Sequence, residues 1–477
     1  MSHLTYYNYP GVGETNRRDY HYSQAVRIGD RIECSGQGGW FPEQGINSIP
    51  REINAQIDQA FANVDLALKT AGGKGWSQVY KVRSYHVPIN GEALEAMSRN
   101  FKKWMPNHQP LYTCVGVQRL GEDDMRVEIE VEAHDPEGNE KKTGATGYIG
   151  GDVLSQLEPK YPGIIFRVLT RDEQKGKLIK EQQPAVQIVS GDLNDAALLQ
   201  EESAQADIIL HTADAADHPT AARAIAAGAI QGHTPERPAY WIHTSGAGIF
   251  SYLDEDEKRY GLVGDKVFDD WDGIQEIISI PDHAFHRNVD KIVFEATASH
   301  PDVLHAAIVS PTTVYGVGRG PCSKRSRQVY ELARTTLSRK KAPYIGDGES
   351  RGCHVHIHDV TDLILRLFDA ALAKEKSLWG PEAYYLAENG EHSWSDVARS
   401  IANIAVAEGY LTDIATEQLE FEEAKRQAGY EAASWGLNVR SRAIRARRLL
   451  HWTPAGPSLD DELPGIVRAE WESLQKS

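Results

Sequence analysis

Cysteine and long apolar runs are both scarce in this chain of 477 residues. No CxxC pair occurs among its four cysteines, Cys34, Cys114, Cys322 and Cys353. This spacing excludes a disulfide framework and a cysteine-rich zinc site. No stretch approaches the roughly 18 uninterrupted apolar residues of a membrane-spanning helix, and the polar N-terminus lacks the apolar centre of a secretory signal. We therefore expect a soluble, cytoplasmic protein with no membrane partner.

Positive charge is also in short supply, because 51 lysines and arginines face 68 aspartates and glutamates, for a net charge of −17. A protein that binds nucleic acid needs a basic surface to neutralise phosphates, so we expect no nucleic-acid partner. The length exceeds what one hydrophobic core serves efficiently. It predicts two or three domains.

The first 136 residues show short strands and two amphipathic helices. From Tyr22, two strands are joined at Gly29-Asp30, a turn-forming pair typical of a hairpin. A helix follows that ends at Gly72-Gly73, and its apolar face recurs every three or four residues, at Ile53, Ile57, Phe61, Val64 and Leu68. With strands at VYKVRSYHV, LYTCVGVQ and MRVEIEVEAH and a second helix from Leu94 to Trp104, the predicted order is β-β-α-β-α-β-β.

That order, with the words YSQAV, SGQ, QPLYTCVGV and RVEIEVEA, resembles the Rid (YjgF-like) family of reactive-intermediate deaminases over residues 15–136. The resemblance implies an α+β domain of the chorismate-mutase-like type, in which a homotrimer forms a central barrel. It also implies clefts between subunits that hydrolyse imines and enamines. The matching cleft positions are Tyr22, Ser35, Gly36, Tyr112, Cys114 and Glu128.

The cleft departs from the family pattern at Tyr112. In deaminating members this position is an arginine that forks onto the substrate carboxylate. A tyrosine donates one hydrogen bond and carries no positive charge, which argues against ordinary imino-acid deamination. Glu128 either activates a water in the cleft or simply alternates with Val127 and Ile129 on the solvent face of a strand.

A polar stretch at residues 137–143 is predicted to link this domain to a second one, residues 144–477. Gly144, Gly147 and Gly150 form a GxxGxxG pattern that runs into an amphipathic helix. Such glycines let the backbone approach a pyrophosphate, and the helix N-terminus meets its charge. The predicted cofactor-binding residues of this loop are Gly144, Thr146, Gly147, Tyr148, Ile149 and Gly150.

Buried-type strands follow, alternating with helical segments, and they predict a doubly wound parallel sheet. They lie at residues 164–171, 186–195, 206–214, 239–250 and 304–316. An apolar strand is also expected directly before Gly144, but the sequence there is NEKKT. That strand is shortened, irregular or missing.

The words GATGYIGG, GDLND, HTSG, SPTTVYGVGRG and HVHIHDV resemble an extended or NmrA-like short-chain dehydrogenase/reductase over about residues 143–475. The resemblance implies a Rossmann sheet, with cofactor contacts at Asp192, Leu193, Thr212 and Ala213. The remainder of the chain, from GPEAYYLAENG onward, is expected to form a small C-terminal substrate lobe. At the end of the second strand, Arg171 and Lys175 favour the extra phosphate of NADP(H) over NAD(H). The neighbouring Asp172 instead suits NAD(H).

Catalysis in this superfamily uses serine, tyrosine and lysine, and the resemblance assigns Ser245 and Lys291 to two of these roles, with Lys291 also holding the cofactor. Four residues before Lys291, where the tyrosine belongs, stands Arg287, which cannot release a proton at ordinary pH. A proton can come instead from His286, Tyr315 or solvent. Alternatively, His286 and Asp290 form only a pair on the helix surface.

The histidines of HVHIHDV alternate, so they either line one face of a strand as metal ligands or belong to a structural strand; since spacing indicates no further ligand, we expect no metal. Two functional hypotheses remain. The first is an NADP(H)-dependent reductase or epimerase acting on a small carbonyl or imine compound, with the Rid-like domain driving assembly and handling an imine or enamine. The second is a non-catalytic NmrA-like NADP(H) sensor on a Rid-like trimeric scaffold.

Overall fold

A computed structural model describes residues 4–28, 31–73, 75–134 and 144–476. The chain divides into two compact units, Met1–Lys141 and Lys142–Ser477. The predicted turn at Gly29-Asp30, the predicted linker at 137–143 and the polar NEKKT segment lie outside the described residues. Within the described residues, no helix has the length and apolar composition needed to cross a bilayer.

The first unit is built on a six-stranded sheet of order β1-β2-β3-β6-β4-β5. β4 and β5 are parallel, and the other neighbours are antiparallel. From β2 onward the order of elements is the predicted one, and β1 and α1 precede it. The elements are β1 Thr5–Tyr7, α1 Val12–Asp19, β2 Ala25–Ile28, β3 Arg31–Gly38, α2 Ile53–Thr70, β4 Val79–His86, α3 Gly91–Trp104, β5 Leu111–Gly116 and β6 Val127–His134.

Helix α2 supplies much of the core of this unit. Its five predicted apolar positions are all buried, as the helical period requires. The Glu52 carboxylate caps its N-terminus by accepting from the backbone N–H groups of Asn54 and Ala55. Gly72 adopts a φ of 83° just past its end, the left-handed conformation that glycine allows. The predicted helix and its end just before Gly72-Gly73 are confirmed.

The second unit begins with alternating helices and parallel strands. β9, β10, β12 and β16 form one parallel sheet of order β16-β12-β10-β9, and β7 pairs with β8 in another. Every residue of β10 is buried, as expected for a strand covered on both faces. The elements are α4 Tyr148–Lys160, β7 Arg167–Thr170, α5 Glu173–Gln182, β8 Gln187–Ser190, α6 Ala196–Gln205, β9 Ile208–His211, α7 Pro219–Gly232, β10 Ala239–Thr244, α8 Tyr252–Glu257, β11 Phe268–Asp269, α9 Ile274–Ile278, α10 Arg287–Ser299 and β12 Leu304–Pro311.

The remaining elements divide between the main core, to which strand β16 and helix α12 contribute, and a small lobe. The run YYLA, expected to belong to the lobe, is strand β16 of the main sheet, because all four of its residues are buried beside β12. A second apolar core joins α11, α13 and α16. The elements are β13 Thr313–Tyr315, α11 Gln328–Arg339, β14 Ala342–Ile345, β15 Arg351–His356, α12 Ile357–Leu372, β16 Tyr384–Ala387, β17 Glu391–Ser393, α13 Trp394–Ala407, β18 Thr416–Leu419, α14 Phe421–Ala428, β19 Ser441–Arg442, α15 Arg445–Leu449 and α16 Leu459–Lys476. The mixed α/β class, Rid-like and then Rossmann-like, is confirmed.

A buried ion pair ties α4 to the segment after β13. The Asp152 carboxylate, fully buried, accepts from the backbone N–H of Arg319 at 2.7 Å and from its guanidinium at 3.0 and 2.6 Å. Thr361 donates to the same carboxylate at 2.6 Å. A buried carboxylate is stable when it is paired and hydrogen-bonded in this way.

Candidate functional site

The glycine-rich turn lies between the N-terminus of α4 and the end of β9. Gly144 and Gly150 have no room for a side chain, because a Cβ atom on either one would run into Thr212 Oγ1. Gly147 is the N-cap of α4 and provides no side-chain cap. The first N–H groups of α4 are therefore left for a ligand, and a helix N-terminus favours an anionic one.

The other three predicted residues of this loop point into the protein. Thr146 is buried, and Ile149 packs against the main core. The phenol of Tyr148 donates to the carbonyl of Gly316 at 2.6 Å. The loop therefore offers backbone groups to a ligand, while these side chains hold the loop in place.

The end of β7 carries the predicted adenosine-side residues. The Asp172 carboxylate caps α5, accepting from the backbone N–H groups of Gln174 and Lys175 at 2.9 and 3.1 Å. Its second oxygen lies 4.0 Å from Lys175 Nζ. Arg171 is exposed. Because Asp172 is engaged by its own helix, the basic pair Arg171 and Lys175 is better placed to meet a ligand than this carboxylate is.

The predicted residues after β8 and β9 lie close to each other. Asp192 accepts from the backbone N–H of Asn194 at 2.7 Å, which forms a local turn. Leu193 and Ala213 share one small apolar cluster, and Thr212 lies beneath the glycine loop. The structure thus brings Leu193 to Ala213 and Thr212 to Gly144.

A buried polar cluster surrounds Ser245, which follows β10. Ser245 is 5% exposed and Asp290, on α10, is 0% exposed. Burial raises the pKa of Asp290 to about 6, and the nearby Ser245 hydroxyl opposes this rise. Neither Ser245 Oγ nor Asp290 Oδ1 has a well-aligned hydrogen-bond partner among the described residues. Tyr384 donates to Asp290 Oδ2 at 3.3 Å.

Two buried histidines adjoin this cluster. His211 Nδ1 and His243 Nδ1 lie 3.1 Å apart, and His243 Nε2 lies 3.9 Å from Asp290 Oδ1. Burial lowers the pKa of His211 to about 3 and holds that of His243 well below its usual range. Both rings are therefore neutral near pH 7, and one donates its Nδ1 proton to the other.

The start of α10 brings His286 to the glycine that follows Ser245. His286 has a φ of 67°, and its Nδ1 lies 2.7 Å from Asp217 Oδ1. A Cβ atom on Gly246 would lie 3.0 Å from His286 Nε2. A carboxylate on Nδ1 holds that nitrogen protonated and leaves Nε2 as the acceptor. His286 and Ser245 are thus at one site.

The other predicted residues of α10 point elsewhere. Arg287 donates to the carbonyl of Ile278 at 2.7 Å, and Lys291 pairs with the exposed Asp282 at 2.7 Å. The side chains that accompany Ser245 are therefore His286, a predicted proton donor, and Asp290, which stands one residue before the assigned Lys291. Because Asp290 is fully buried, the alternative of a surface pair between His286 and Asp290 is wrong.

Tyr315 lies in the core of the small lobe. Its phenol donates to the carbonyl of Pro457 at 2.8 Å, and its ring meets the edges of His354 and His356. Burial raises its pKa above the usual range. Its proton is therefore held by a structural hydrogen bond.

The histidines of HVHIHDV do not share one strand face. β15 ends at His356, and His358 lies in α12, where its backbone N–H donates to His356 Nδ1 at 3.2 Å. His354 pairs with His392, with 3.1 Å between their Nδ1 atoms. In the ranges that the structure describes, no group of three or more His, Cys, Asp or Glu residues is arranged to hold a metal ion.

In the first unit, Tyr112 begins a short chain of hydrogen bonds. Its hydroxyl lies 2.8 Å from Ser84 Oγ, which lies 2.8 Å from His86 Nε2. Its ring meets the edge of Phe101, and burial raises its pKa. Cys114 pairs in register with Ser84, so it shares this face of the sheet.

Glu128 lies on the opposite face. It pairs in register with Tyr85, and Ile129 pairs with Ser84, so the strand period separates Glu128 from Tyr112 within one subunit. Its carboxylate covers Gly36, where a Cβ atom would collide with it. Burial, reinforced by Glu130, raises its pKa. Glu128 is therefore partly buried and does not lie simply on a solvent face.

The two other predicted cleft side chains bind within their own strand region. Tyr22 accepts from Asn16 Nδ2 at 2.6 Å. The Ser35 hydroxyl donates to the carbonyl of Gln24 at 3.2 Å. Tyr22 is thus tied to helix α1, and Ser35 to the residue just before β2.

Sequence reasoning missed three members of the second-unit site. His243 precedes Ser245 by two residues, so strand alternation could have placed both on one side of β10. Asp217 follows β9 by six residues and signals nothing by spacing. Tyr384 comes from a distant strand, and only the tertiary structure brings it to Asp290.

Comparisons with known proteins agree with this architecture. Residues 16–135 match the family model described as Endoribonuclease L-PSP, and residues 142–232 match the NmrA-like family. Among solved structures, DesIV, a dTDP-glucose 4,6-dehydratase from Streptomyces venezuelae with NAD and TYD bound, is 17% identical over 70% of this chain and 96% of its own, with a TM-score of 0.48. A Mycobacterium tuberculosis member of the YjgF/YER057c/UK114 family is 24% identical over 28% of this chain and 98% of its own, with a TM-score of 0.23.

The two family models identify a Rid (L-PSP) domain in the first unit and an NmrA-like segment at the start of the second. A curated relative narrows this further. "Oxidase ucsJ" from Acremonium sp is 38% identical over 340 residues, which are 70% of this chain and 97% of that protein. The chain belongs to the same family as that oxidase.

Proposed function

We propose that the second unit is an NADP(H)-dependent oxidoreductase, a reductase or epimerase acting on a small carbonyl or imine compound. One observation carries this proposal: the anion-ready glycine turn lies against Thr212 at the end of β9, and the polar cluster around Ser245 follows the neighbouring parallel strand β10. Ligands of open α/β sheets bind at the carboxyl ends of such strands. Membership in the family of an oxidase agrees with this reading.

The residues present fit a dinucleotide. The uncapped N-terminus of α4 would meet the pyrophosphate, and Gly144 and Gly150 leave the close approach open. Arg171 and Lys175 would meet a 2′-phosphate, since the Asp172 carboxylate that would suit NAD(H) caps α5 instead. We therefore propose NADP(H).

The bound cofactor supplies or accepts a hydride. Ser245 Oγ, buried and unpartnered among the described residues, orients the polar atom of the substrate. His286 moves the proton at Nε2, because Asp217 fixes the proton on Nδ1. Lys291 and Tyr315 take no part in this scheme, because Asp282 and Pro457 occupy them.

Calorimetric titration of the full chain with NADPH and NADH tests the cofactor. We expect NADPH to bind at least tenfold more tightly, because Arg171 and Lys175 add charged hydrogen bonds to the phosphate. Arg171→Ala should remove most of the preference. Lys177→Ala, which removes an exposed lysine of α5, should keep it. Equal affinities of the native chain for both cofactors would refute the assignment.

The first unit is proposed to drive assembly as a homotrimer and to handle an imine or enamine. One observation favours the rival sensor function: Lys291, the expected catalytic lysine, is bound to Asp282 at the surface. Under that alternative NADPH binds but is never consumed. Cofactor turnover with a panel of small carbonyl and imine compounds separates the two.

A further inference from the structure

The site around Ser245 carries negative charge in its walls. Asp290 is fully buried beside Ser245, and Asp217 holds His286 at 2.7 Å. The two buried histidines that adjoin Asp290 are neutral near pH 7. Neither His211 nor His243 therefore offsets the charge of the Asp290 carboxylate.

The basic side chains of α10 are committed elsewhere. Lys291 pairs with Asp282 on the outside of the helix. Arg287 donates to the carbonyl of Ile278, lies over the ring of Phe294 and has Asp282 4.0 Å from its Nε. Arg287 makes no hydrogen bond to Asp290 within the described ranges, but its positive charge lowers the pKa of that carboxyl. The helix thus turns Asp290 towards Ser245, while Arg287 and Lys291 make their hydrogen bonds elsewhere.

Poorly paired polar atoms converge at the same point. Ser245 Oγ, Asp290 Oδ1 and His243 Nε2 are all buried and have no well-aligned hydrogen-bond partner in the part of the chain that the structure describes, although the Ser245 hydroxyl lies near enough to Asp290 to lower its pKa. Buried polar atoms are usually fully paired, so three such atoms in one cluster leave hydrogen-bonding capacity for a ligand. A donor such as a protonated nitrogen would satisfy the carboxylate, which accepts hydrogen bonds and donates none.

We propose that this site takes a cation, namely an iminium ion or the amine related to it, with Asp290 as the counter-ion and Ser245 beside it. The proposal rests on the proposed oxidoreductase function and names its substrate class. It distinguishes two substrate classes, ketones and iminium ions, which binding of NADP(H) alone does not distinguish. A buried carboxylate attracts a cationic iminium ion as it binds, whereas it gives a neutral ketone no such attraction and repels the negative charge that ketone reduction builds on oxygen.

The reaction balances with NADPH as the reductant. Hydride adds to the iminium carbon, the C=N π pair moves to nitrogen as a lone pair, and NADPH becomes NADP⁺. A fully substituted iminium needs no proton, and an N–H imine takes a proton from solvent before it binds. The reverse direction oxidises an amine to an iminium ion with NADP⁺.

The test compares charged and neutral probes of equal shape on the full chain. The pairs are 1-methyl-1-pyrrolinium with cyclopentanone, and 2-methyl-3,4-dihydroisoquinolinium with 1-tetralone. Binding is titrated by calorimetry with saturating NADP⁺, and NADPH consumption is followed separately. In at least one pair we expect the cation to bind at least tenfold more tightly than its ketone. Asp290→Asn should reduce that ratio to about twofold or less, and Asp302→Asn, which removes an exposed charge just beyond α10, should keep it.

Ketones that bind as tightly as the cations, or no binding of either cation, would overturn the proposal. A ratio unchanged in folded Asp290→Asn would overturn it too. If that variant does not fold, the comparison on the native chain still decides. The titration with NADPH and NADH tests the oxidoreductase function independently of the cation site. A preference for the cations without any binding of NADP(H) would refute the oxidoreductase function and leave the cation site standing.

Discussion

Two buried aspartates of the second unit both have a raised pKa, but they differ in the hydrogen bonds that they accept. Burial raises the pKa of both Asp290 and Asp270 to about 6. Asp270 accepts from the backbone N–H groups of Leu386, Ile444 and Arg445 at 2.7–2.8 Å. Asp290 keeps one oxygen unpartnered within the described ranges. Identical substitutions should therefore have opposite effects on stability.

We expect Asp290→Asn to raise the melting temperature, and more so at pH 7.5 than at pH 5. A carboxyl whose pKa is raised on folding binds more protons in the folded state, so the free energy of unfolding falls as pH rises from about 4 to 6. The stabilisation lost across this window is about 3 kcal/mol for a shift of roughly two pKa units. Calorimetric scans of both proteins at the two pH values measure it.

Asp270→Asn is the matched control. An amide cannot accept as well from three backbone donors, so this variant should melt lower than the native chain at both pH values. A lower melting temperature for Asp290→Asn at pH 7.5 would show that its carboxylate stabilises the fold and is not held at a cost.

In the first unit, a single residue, Tyr112, decides whether the domain can hydrolyse imino acids. We expect the native chain to hydrolyse 2-iminopropionate no faster than background, because no charged fork meets the carboxylate. Imino acid generated by an amino-acid oxidase, with and without the protein, gives the rate. Tyr112→Arg should gain activity, and Tyr112→Arg with Glu128→Gln should not. Robust hydrolysis by the native chain would contradict this argument.

Among the elements, α4 depends on the glycines before it. Gly150→Ala should abolish NADPH binding, because its Cβ atom would meet the Gly144 carbonyl and Thr212. Gly163→Ala is the control, since a Cβ atom there has nothing within 4 Å. Calorimetry measures binding, and circular dichroism checks that both variants fold. Unchanged affinity in Gly150→Ala would mean that the turn can widen at no cost.

Helices and strands could be predicted from the sequence wherever the local spacing of apolar residues determines them. The apolar face of α2 and the strands β7, β8, β9, β10 and β12 follow from the pattern of apolar residues alone. β16 was misplaced because YYLA carries no signal of which strand it will join. On α10, side-chain direction decided the site: a shift of one residue turns a helix by about 100°, and only packing shows that Asp290 points to Ser245 and Lys291 to Asp282.

At the scale of the whole molecule, the first unit ends in an apolar edge. β5 is the last strand of its sheet, and Leu111 on it is 70% exposed. An open apolar edge strand invites another chain, and we expect a trimer of three times 52.9 kDa by light scattering. Leu111→Glu should lower the molar mass measured by light scattering. Ile165→Glu, at an equally exposed site in the second unit, should leave that mass unchanged. A native protein that is a monomer at micromolar concentration would exclude the trimer.

The hydrogen bonds of Asp152 with Arg319 and Thr361 also determine which segments open together in the native state. Three chain segments that are distant in sequence meet on one carboxylate, so none of them can open while the other two stay closed. Fluctuations of the native state should then release α4 and the segment at 316–320 together, as one cooperative unit. Amide hydrogens in both should exchange with a common opening rate, and Arg319→Lys, which loses the bidentate fork, should accelerate exchange in α4 although the substitution lies more than 150 residues away along the chain.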